Sequence, residues 1–172
     1  STEVGRLLAR QCADTLKRVS LELGGNAPFI VFDDADLEAA ADGAMASKYR
    51  NCGQTCVASN RFLVQSGVLD RFAGLLAERS EALHQAHGLE QGAQVGPMIN
   101  REGYDKVRRL LQDAVHKGAR VLAGGVPDGD DLYIKPTVLT GVTDEMGLWN
   151  EEIFGPVIAL RAFEAEDEAL SL

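Results

Sequence analysis

The sequence predicts an α/β domain in which helices cover a layered, largely parallel β-sheet. Helical and strand patterns alternate along the 172 residues, and such alternation is typical of βαβ units. Several predicted strands, such as "FIVF" and "PVIAL", are continuous apolar runs, which indicates strands buried on both faces. The sequence opens on one helical pattern and stops within another, so we expect a domain that is incomplete at both ends.

The first half of the chain predicts a helix, two strands and a second helix. Residues 1–16 combine a Ser-Thr-Glu capping pattern with apolar residues at helical spacing. "KRVSLEL" alternates as a strand would and ends at a Gly-Gly turn, and "PFIVF" is an apolar strand. Asp33, Asp34 and Asp36 are suitable caps for a helix from about Ala35 to Lys48.

The second half predicts three more helices and four more strands. Apolar stripes mark one helix around residues 69–83 and another around residues 104–114, which Gly118 closes. "NRFLVQ", "ARVLAGG", "IKPTVLT" and "PVIALRAF" are predicted strands, and "EAEDEALSL" begins the last helix. Pro136 favours an edge or irregular position for its strand, because proline lacks the amide that a sheet needs.

Composition restricts the classes of partner. The net charge of −9 and the pI of about 4.8 argue against nucleic acid and anionic membranes, which attract basic surfaces. The apolar runs are far shorter than the roughly 20 residues that span a bilayer, and the first residues lack the apolar core of a signal peptide. Three cysteines is a low, odd number that favours a reducing compartment, so we expect a cytoplasmic protein.

The segment "YRNCGQTCVASN" raises the question of what two cysteines do in a loop. A zinc site needs three or four ligands, and no second cysteine pair or suitably spaced histidine accompanies Cys52 and Cys56; we predict no metal site. A disulfide is disfavoured in a reducing compartment. The third alternative is a nucleophile, which needs an accessible thiolate of the kind favoured where a loop enters a helix N-terminus.

Spacing and composition leave these alternatives open, but they select Cys56 and Glu22 as candidates. If "GQTCVAS" leads into a helix, the free amides of its first turn would stabilise a negative sulfur and an oxyanion. Glu22 stands at the predicted end of a strand, before Gly24 and Gly25, where α/β sheets open onto clefts. It is therefore a candidate for handling protons and water.

Four motifs resemble those of the aldehyde dehydrogenase superfamily. "LELGGN" and "RNCGQTCVASNRFLVQ" are similar to its two active-site signatures, and "EEIFGPV" to its nicotinamide-ribose motif. The opening "STEVGR" is similar to the helix start that holds the cofactor pyrophosphate. The resemblance implies that residues 1–24 end a cofactor-binding domain and that residues 25–172 form most of a catalytic domain.

The resemblance also implies roles for individual residues. Cys56 would be the nucleophile, and Glu22 the general base that activates water. NAD or NADP would be the cofactor, with Ser1 at the pyrophosphate, the Leu23 carbonyl at the carboxamide, and Glu152 and Phe154 at the nicotinamide ribose. The expected partners are a small aldehyde and further copies of the parent enzyme, since family members are homo-oligomers.

Within the superfamily, the sequence of these motifs is most similar to that of succinate-semialdehyde dehydrogenases. Arg50 matches the arginine that binds the substrate's distal carboxylate there, and a guanidinium suits that task because it can bind a carboxylate with two hydrogen bonds. Some members carry a second, redox-active cysteine two places after the nucleophile, where this chain has Ala58. Whether Cys52 replaces it stays open.

The alternatives to this function are a dehydrogenase for another aliphatic or aromatic aldehyde, a cofactor-independent cysteine hydrolase, and a non-catalytic module. We expect the isolated chain to be inactive.

Overall fold

The computed structural model describes residues 1–129 and 131–172. Its centre is a five-stranded sheet whose strands lie in the order β1-β2-β5-β4-β3. Three neighbouring pairs are parallel, and only β3 and β4 run antiparallel. The prediction of an α/β domain with a largely parallel sheet is therefore confirmed. The strands are β1 (Ala27–Val31), β2 (Ser59–Gln65), β3 (Arg120–Ala123), β4 (Thr137–Thr140) and β5 (Val157–Phe163).

Six α-helices accompany this sheet in the described residues, and α1, α2 and α4 have side-chain N-caps. The Asp36 carboxylate accepts hydrogen bonds from two amides of the first turn of α2, and the Asn100 side chain accepts one from Gly103 in α4. A short 3-10 segment, Arg50–Gly53, follows α2 directly. The helices are α1 (Thr2–Ala13), α2 (Leu37–Tyr49), α3 (Ser66–Glu81), α4 (Arg101–His116), α5 (Gly147–Asn150) and α6 (Glu166–Ser171).

The core forms around the two central strands, β2 and β5. Phe62 of β2 is fully buried and stacks on Phe29 of β1 with 5.3 Å between ring centroids. Phe72 and Leu76 of α3 and Tyr104 of α4 are also without exposed surface. Burying side chains of this size is the main source of stability in a domain of this length, so the described residues have a core of their own.

Three predictions about the elements were wrong. Residues 17–23 form no strand and are mostly exposed. Strand β1 is hydrogen-bonded to β2 and not to this segment. The edge position that Pro136 favoured for its strand was wrong, since β4 lies between β5 and β3; the proline lies outside the ladder, just before the first residue of β4, where no ladder amide is lost. Leu83 lies beyond the end of α3.

Helix α1 differs from the other helices in that its apolar face is exposed to solvent. An apolar stripe on a helix normally packs against a core, yet Val4, Leu7 and Leu8 are each more than two-fifths exposed, and Gly5 is the one buried residue of α1. A Cβ added to Gly5 would lie 2.8 Å from the Leu23 side chain. Helix α1 is thus held close to the segment that carries Glu22 and Leu23.

No helix in the described part of the chain is both long enough and apolar enough to cross a membrane.

Candidate active site

Cys56 lies in a turn between the 3-10 segment and strand β2, and it is exposed. The expectation that this turn leads into a helix N-terminus was wrong, because the chain enters β2 at Ser59. Two amides that follow the cysteine already have partners: Ala58 donates to the Thr55 carbonyl and Val57 to the Thr55 hydroxyl. The predicted helical amides therefore do not stabilise the sulfur.

The loop before Cys56 is held in an unusual backbone conformation. Asn51, Cys52 and Gly53 have positive φ angles of 52°, 56° and 69°, and non-glycine residues in this region cost roughly 1–3 kcal/mol each. A Cβ on Gly53 would lie 2.7 Å from the carbonyl carbon of Gly155. The loop that leads to Cys56 is therefore pressed directly against the segment that carries Phe154, which itself has a φ of 56°.

The segment with Gly24 and Gly25, after Glu22, forms the other side of this junction. A Cβ on Gly24 would lie 3.1 Å from Cδ of Glu152, and one on Gly25 would lie 3.2 Å from the Cys56 carbonyl oxygen. The Gly25 amide donates a 3.1 Å hydrogen bond to Oε1 of Glu152. Glycine is suited to both positions because it lets neighbouring groups approach the backbone closely.

One cleft of about 440 Å³ opens at this junction. Six of the seven residues selected from the sequence line it, although they come from distant parts of the chain. These residues are Ser1, Glu22, Leu23, Cys56, Glu152 and Phe154.

Arg50 is the selected residue that does not line this cleft. It lines a second cavity of about 430 Å³ together with Thr55 and Val57, the two neighbours of Cys56 in sequence. The turn that carries the cysteine therefore contributes residues to both cavities, and Arg50 approaches it from a different cavity than Glu152 and Phe154 do.

Cys52 has the opposite surroundings from Cys56. It is only 4% exposed, and burial raises the pKa of its thiol to about 12, although nearby Lys48 opposes this shift. A thiol with such a pKa stays protonated near neutral pH and is a poor nucleophile. Cys52 is a free, buried cysteine, and this environment gives no support to a redox role.

Sequence reasoning missed two lysines near Glu152. Lys106 in α4 lines the main cleft and donates a 2.6 Å hydrogen bond to the Glu152 carbonyl. Lys48 in α2 is fully buried. A signal for its burial was present, because Lys48 continues the apolar stripe of Leu37, Ala41 and Ala44 at helical spacing.

Comparisons with known proteins show the family of the chain. The sequence profile described as "Aldehyde dehydrogenase family" matches residues 1–172. The chain belongs to the aldehyde dehydrogenase family. It is 52% identical to 3-sulfolactaldehyde dehydrogenase of Pseudomonas putida, covering all of this chain and 36% of that protein. It is 49% identical to the NADP⁺ succinate-semialdehyde dehydrogenase of Escherichia coli K12, covering 99% of this chain and 36% of that one.

Solved structures give the same result for the fold of this chain. Succinate-semialdehyde dehydrogenase from Burkholderia pseudomallei superposes with a TM-score of 0.96 at 51% identity, covering 99% of this chain and 36% of that one. An aldehyde dehydrogenase from Brucella melitensis has the same TM-score at 56% identity, with 99% and 35% covered. The chain therefore spans about a third of the length of these relatives.

The cleft has groups that suit a nicotinamide dinucleotide. Ser1 caps the N-terminus of α1, where helix amides favour anions such as a pyrophosphate. The Glu152 carboxylate can accept hydrogen bonds from ribose hydroxyls, and the Gly25 amide holds its orientation. Phe154 presents a partly exposed ring to the same cleft. Within residues 1–129 and 131–172, no three acidic, histidine or cysteine side chains gather as metal ligands would.

Proposed function

We propose that the protein containing this chain oxidises an aldehyde to the carboxylic acid with NAD⁺ or NADP⁺, and that the aldehyde is succinate semialdehyde. The observation that carries the proposal is the cleft in which Cys56 and Glu22 meet Glu152 and Phe154. Family membership supports an NAD(P)-dependent oxidoreductase of this type. The chemistry needs a nucleophile, a base and a cofactor site in one place, and this cleft offers candidates for each.

In the proposed reaction, the Cys56 thiolate bonds to the aldehyde carbon and the carbonyl oxygen takes the negative charge, giving a thiohemiacetal. When bound, the nicotinamide supplies the acceptor for the hydride from that carbon, and a thioester remains on Cys56. Glu22 then removes a proton from a water molecule, whose oxygen attacks the thioester carbon. The acid leaves, and the thiolate is restored.

We assign the cofactor to the side of the cleft formed by Ser1, Leu23, Glu152 and Phe154. In this division, residues 1–24 end the cofactor-binding domain and residues 25–172 belong to the catalytic domain. Relatives of both cofactor types exist, since one is named for NADP⁺ and another for NAD. The choice between the two cofactors stays open.

We assign the substrate to the second cavity, where Arg50 would bind the distal carboxylate. Thr55 and Val57, on either side of Cys56 in sequence, line that cavity. The aldehyde would therefore approach the sulfur from the second cavity, and the cofactor would approach it from the main cleft. Relatives are named for succinate semialdehyde, glutarate semialdehyde and 3-sulfolactaldehyde. Each of these aldehydes also carries an anionic group, which supports an arginine as the specificity residue.

The decisive test uses the full-length protein encoded by the gene that contains this chain. Acid formation from succinate semialdehyde should require NAD⁺ or NADP⁺ and should disappear in Cys56→Ala. Acid formation without any cofactor would instead favour the hydrolase alternative. The absence of any turnover, together with slow, pH-independent alkylation of Cys56, would favour a non-catalytic module.

A second measurement separates substrate classes. We expect Arg50→Ala to lower kcat/KM for succinate semialdehyde by about 10²-fold or more, because it removes a charge-assisted, bidentate hydrogen bond. Butyraldehyde has the same chain length without the carboxylate and should lose little. Equal losses on both aldehydes would contradict the assignment and favour a neutral aliphatic or aromatic substrate.

We also propose that the 172-residue chain alone turns over poorly, because it spans about a third of its relatives' length. A homo-oligomeric parent enzyme remains our prediction. Robust NAD(P)H production by the isolated chain would contradict the first of these statements.

A further inference from the structure

Lys48 is a buried amine that the reaction proposed above does not use. Its side chain is fully buried on the inner face of α2, and a lysine is rarely buried without a specific partner. Its Nζ donates a 2.7 Å hydrogen bond to Oδ1 of Asn60, which is itself 2% exposed. Two polar side chains thus form a pair in the core immediately behind the cysteine turn.

The pair continues toward the cofactor side of the cleft. Nδ2 of Asn60 donates to the Gly25 carbonyl at 3.4 Å, and the Gly25 amide donates to Oε1 of Glu152 at 3.1 Å. Three hydrogen bonds therefore connect Lys48 to the carboxylate that we assign to the nicotinamide ribose. We define Lys48, Asn60, Gly25 and Glu152 as the buried relay.

We propose that Lys48 is a positioning residue for cofactor binding, acting through Asn60 and the Gly25 backbone on the Glu152 carboxylate. This inference rests on the proposed function, in which Glu152 holds the cofactor. Lys48 lines none of the cavities described above, so it would not touch the cofactor itself.

The physical reason lies in the two ends of the Asn60 amide. Lys48 Nζ donates to the oxygen of Asn60, so it holds this oxygen toward α2 and leaves the NH₂ group to face the Gly25 carbonyl. Without Lys48 the Asn60 oxygen loses its donor, and the amide is free to rotate away from the Gly25 carbonyl. The Gly25 carbonyl would then lose its own donor, and the Glu152 carboxylate would lose a fixed anchor.

The electrostatics agree with a specific role. Burial lowers the pKa of Lys48 from 10.5 to about 7, and the nearby Glu152 carboxylate opposes this shift. The charge of Lys48 therefore interacts with Glu152 directly, in addition to the hydrogen-bonded connection.

The test measures cofactor binding by full-length variants. Lys48→Met keeps the length of the side chain and removes its donor, and we expect the Kd for NAD⁺ or NADP⁺ to rise about tenfold, as for the loss of a buried hydrogen-bonded contact. KM for the cofactor should rise more than kcat falls, and alkylation of Cys56 without cofactor should keep its rate within about twofold. Tyr49→Phe is the matched control, because it removes buried hydrogen bonds to Ser80 and Thr137 outside the relay.

A double variant separates positioning from stability. Lys48→Met with Asn60→Leu replaces both partners by apolar groups, which should restore much of the lost stability, yet cofactor binding should stay weak because the Gly25 carbonyl still lacks its donor. The inference is overturned if Lys48→Met binds the cofactor like the wild type, if Tyr49→Phe weakens binding equally, or if the double variant recovers binding. If the wild type binds neither NAD⁺ nor NADP⁺, the proposed function is wrong and this inference is overturned with it.

Discussion

Replacing Gly53 with alanine adds one methyl group where the loop leading to Cys56 touches Gly155. The new Cβ would lie 2.7 Å from the Gly155 carbonyl carbon and 2.9 Å from the Lys48 carbonyl oxygen, and both contacts are backbone that cannot rotate away. Overpacking of this kind costs about 1–3 kcal/mol. The φ of 69° at Gly53 adds a further strain of about 1–2 kcal/mol for a residue with a Cβ. We therefore expect Gly53→Ala to lower the free energy of unfolding by about 2–5 kcal/mol.

Two other glycines provide matched controls. Gly92 has a φ of 84° but open space around its added Cβ, so Gly92→Ala should cost only the strain of about 1–2 kcal/mol. Gly74 is helical and also has open space, so Gly74→Ala should stabilise by about 0.5–1 kcal/mol. Urea unfolding of the 172-residue chain, followed by its single tryptophan, Trp149, which is 3% exposed, measures all three. Equal losses for Gly53→Ala and Gly92→Ala would refute the contact between the two loops.

Three further predictions concern buried groups. The pKa of Lys48 is about 7 in the folded chain, below its ordinary value of 10.5, so between these values the unfolded chain binds a proton that the folded chain does not. The free energy of unfolding should therefore rise by about 2 kcal/mol from pH 7 to pH 9. Lys48→Met should lack this rise, and parallel pH curves for the two proteins would contradict the prediction. Iodoacetamide should label Cys56 before Cys52, and peptide mapping that finds equal rates would count against the buried thiol. Phe62→Ala should destabilise by about 3–5 kcal/mol, whereas Leu89→Ala, at a 91% exposed position, should stay within about 0.5 kcal/mol in the same urea titration; similar losses would disprove the assigned core.

Most elements could be predicted from the sequence because local patterns determined them. Asp36 caps α2, and the apolar spacing of Phe72 and Leu76 matches the buried side of α3. The strand predicted over residues 17–23 was wrong because alternation shows only that the two faces of a segment differ in polarity. It does not show whether the segment finds a strand to pair with. The edge position inferred from Pro136 was wrong because a missing amide matters only within a ladder, and this residue lies just before one.

The candidate site was predictable from motifs but not from local patterns. Glu22, Cys56 and Glu152 are far apart in sequence, and only the parallel sheet with its close-packed glycines brings them to one cleft. The helix expected after Cys56 was a local inference, and the strand β2 replaced it. Lys48 was overlooked because a lysine is expected at the surface, although it continues an apolar stripe.

The most direct test of the account is to trap the acyl group on Cys56. In full-length Glu22→Gln, the base that activates water is missing, so succinate semialdehyde and cofactor should give a single burst of NAD(P)H and a thioester that persists. Mass spectrometry should then find the added acyl group on the peptide containing Cys56, and Cys56→Ala should show neither burst nor adduct. An acyl group on another residue, or NAD(P)H formation without any adduct at Cys56, would contradict the account.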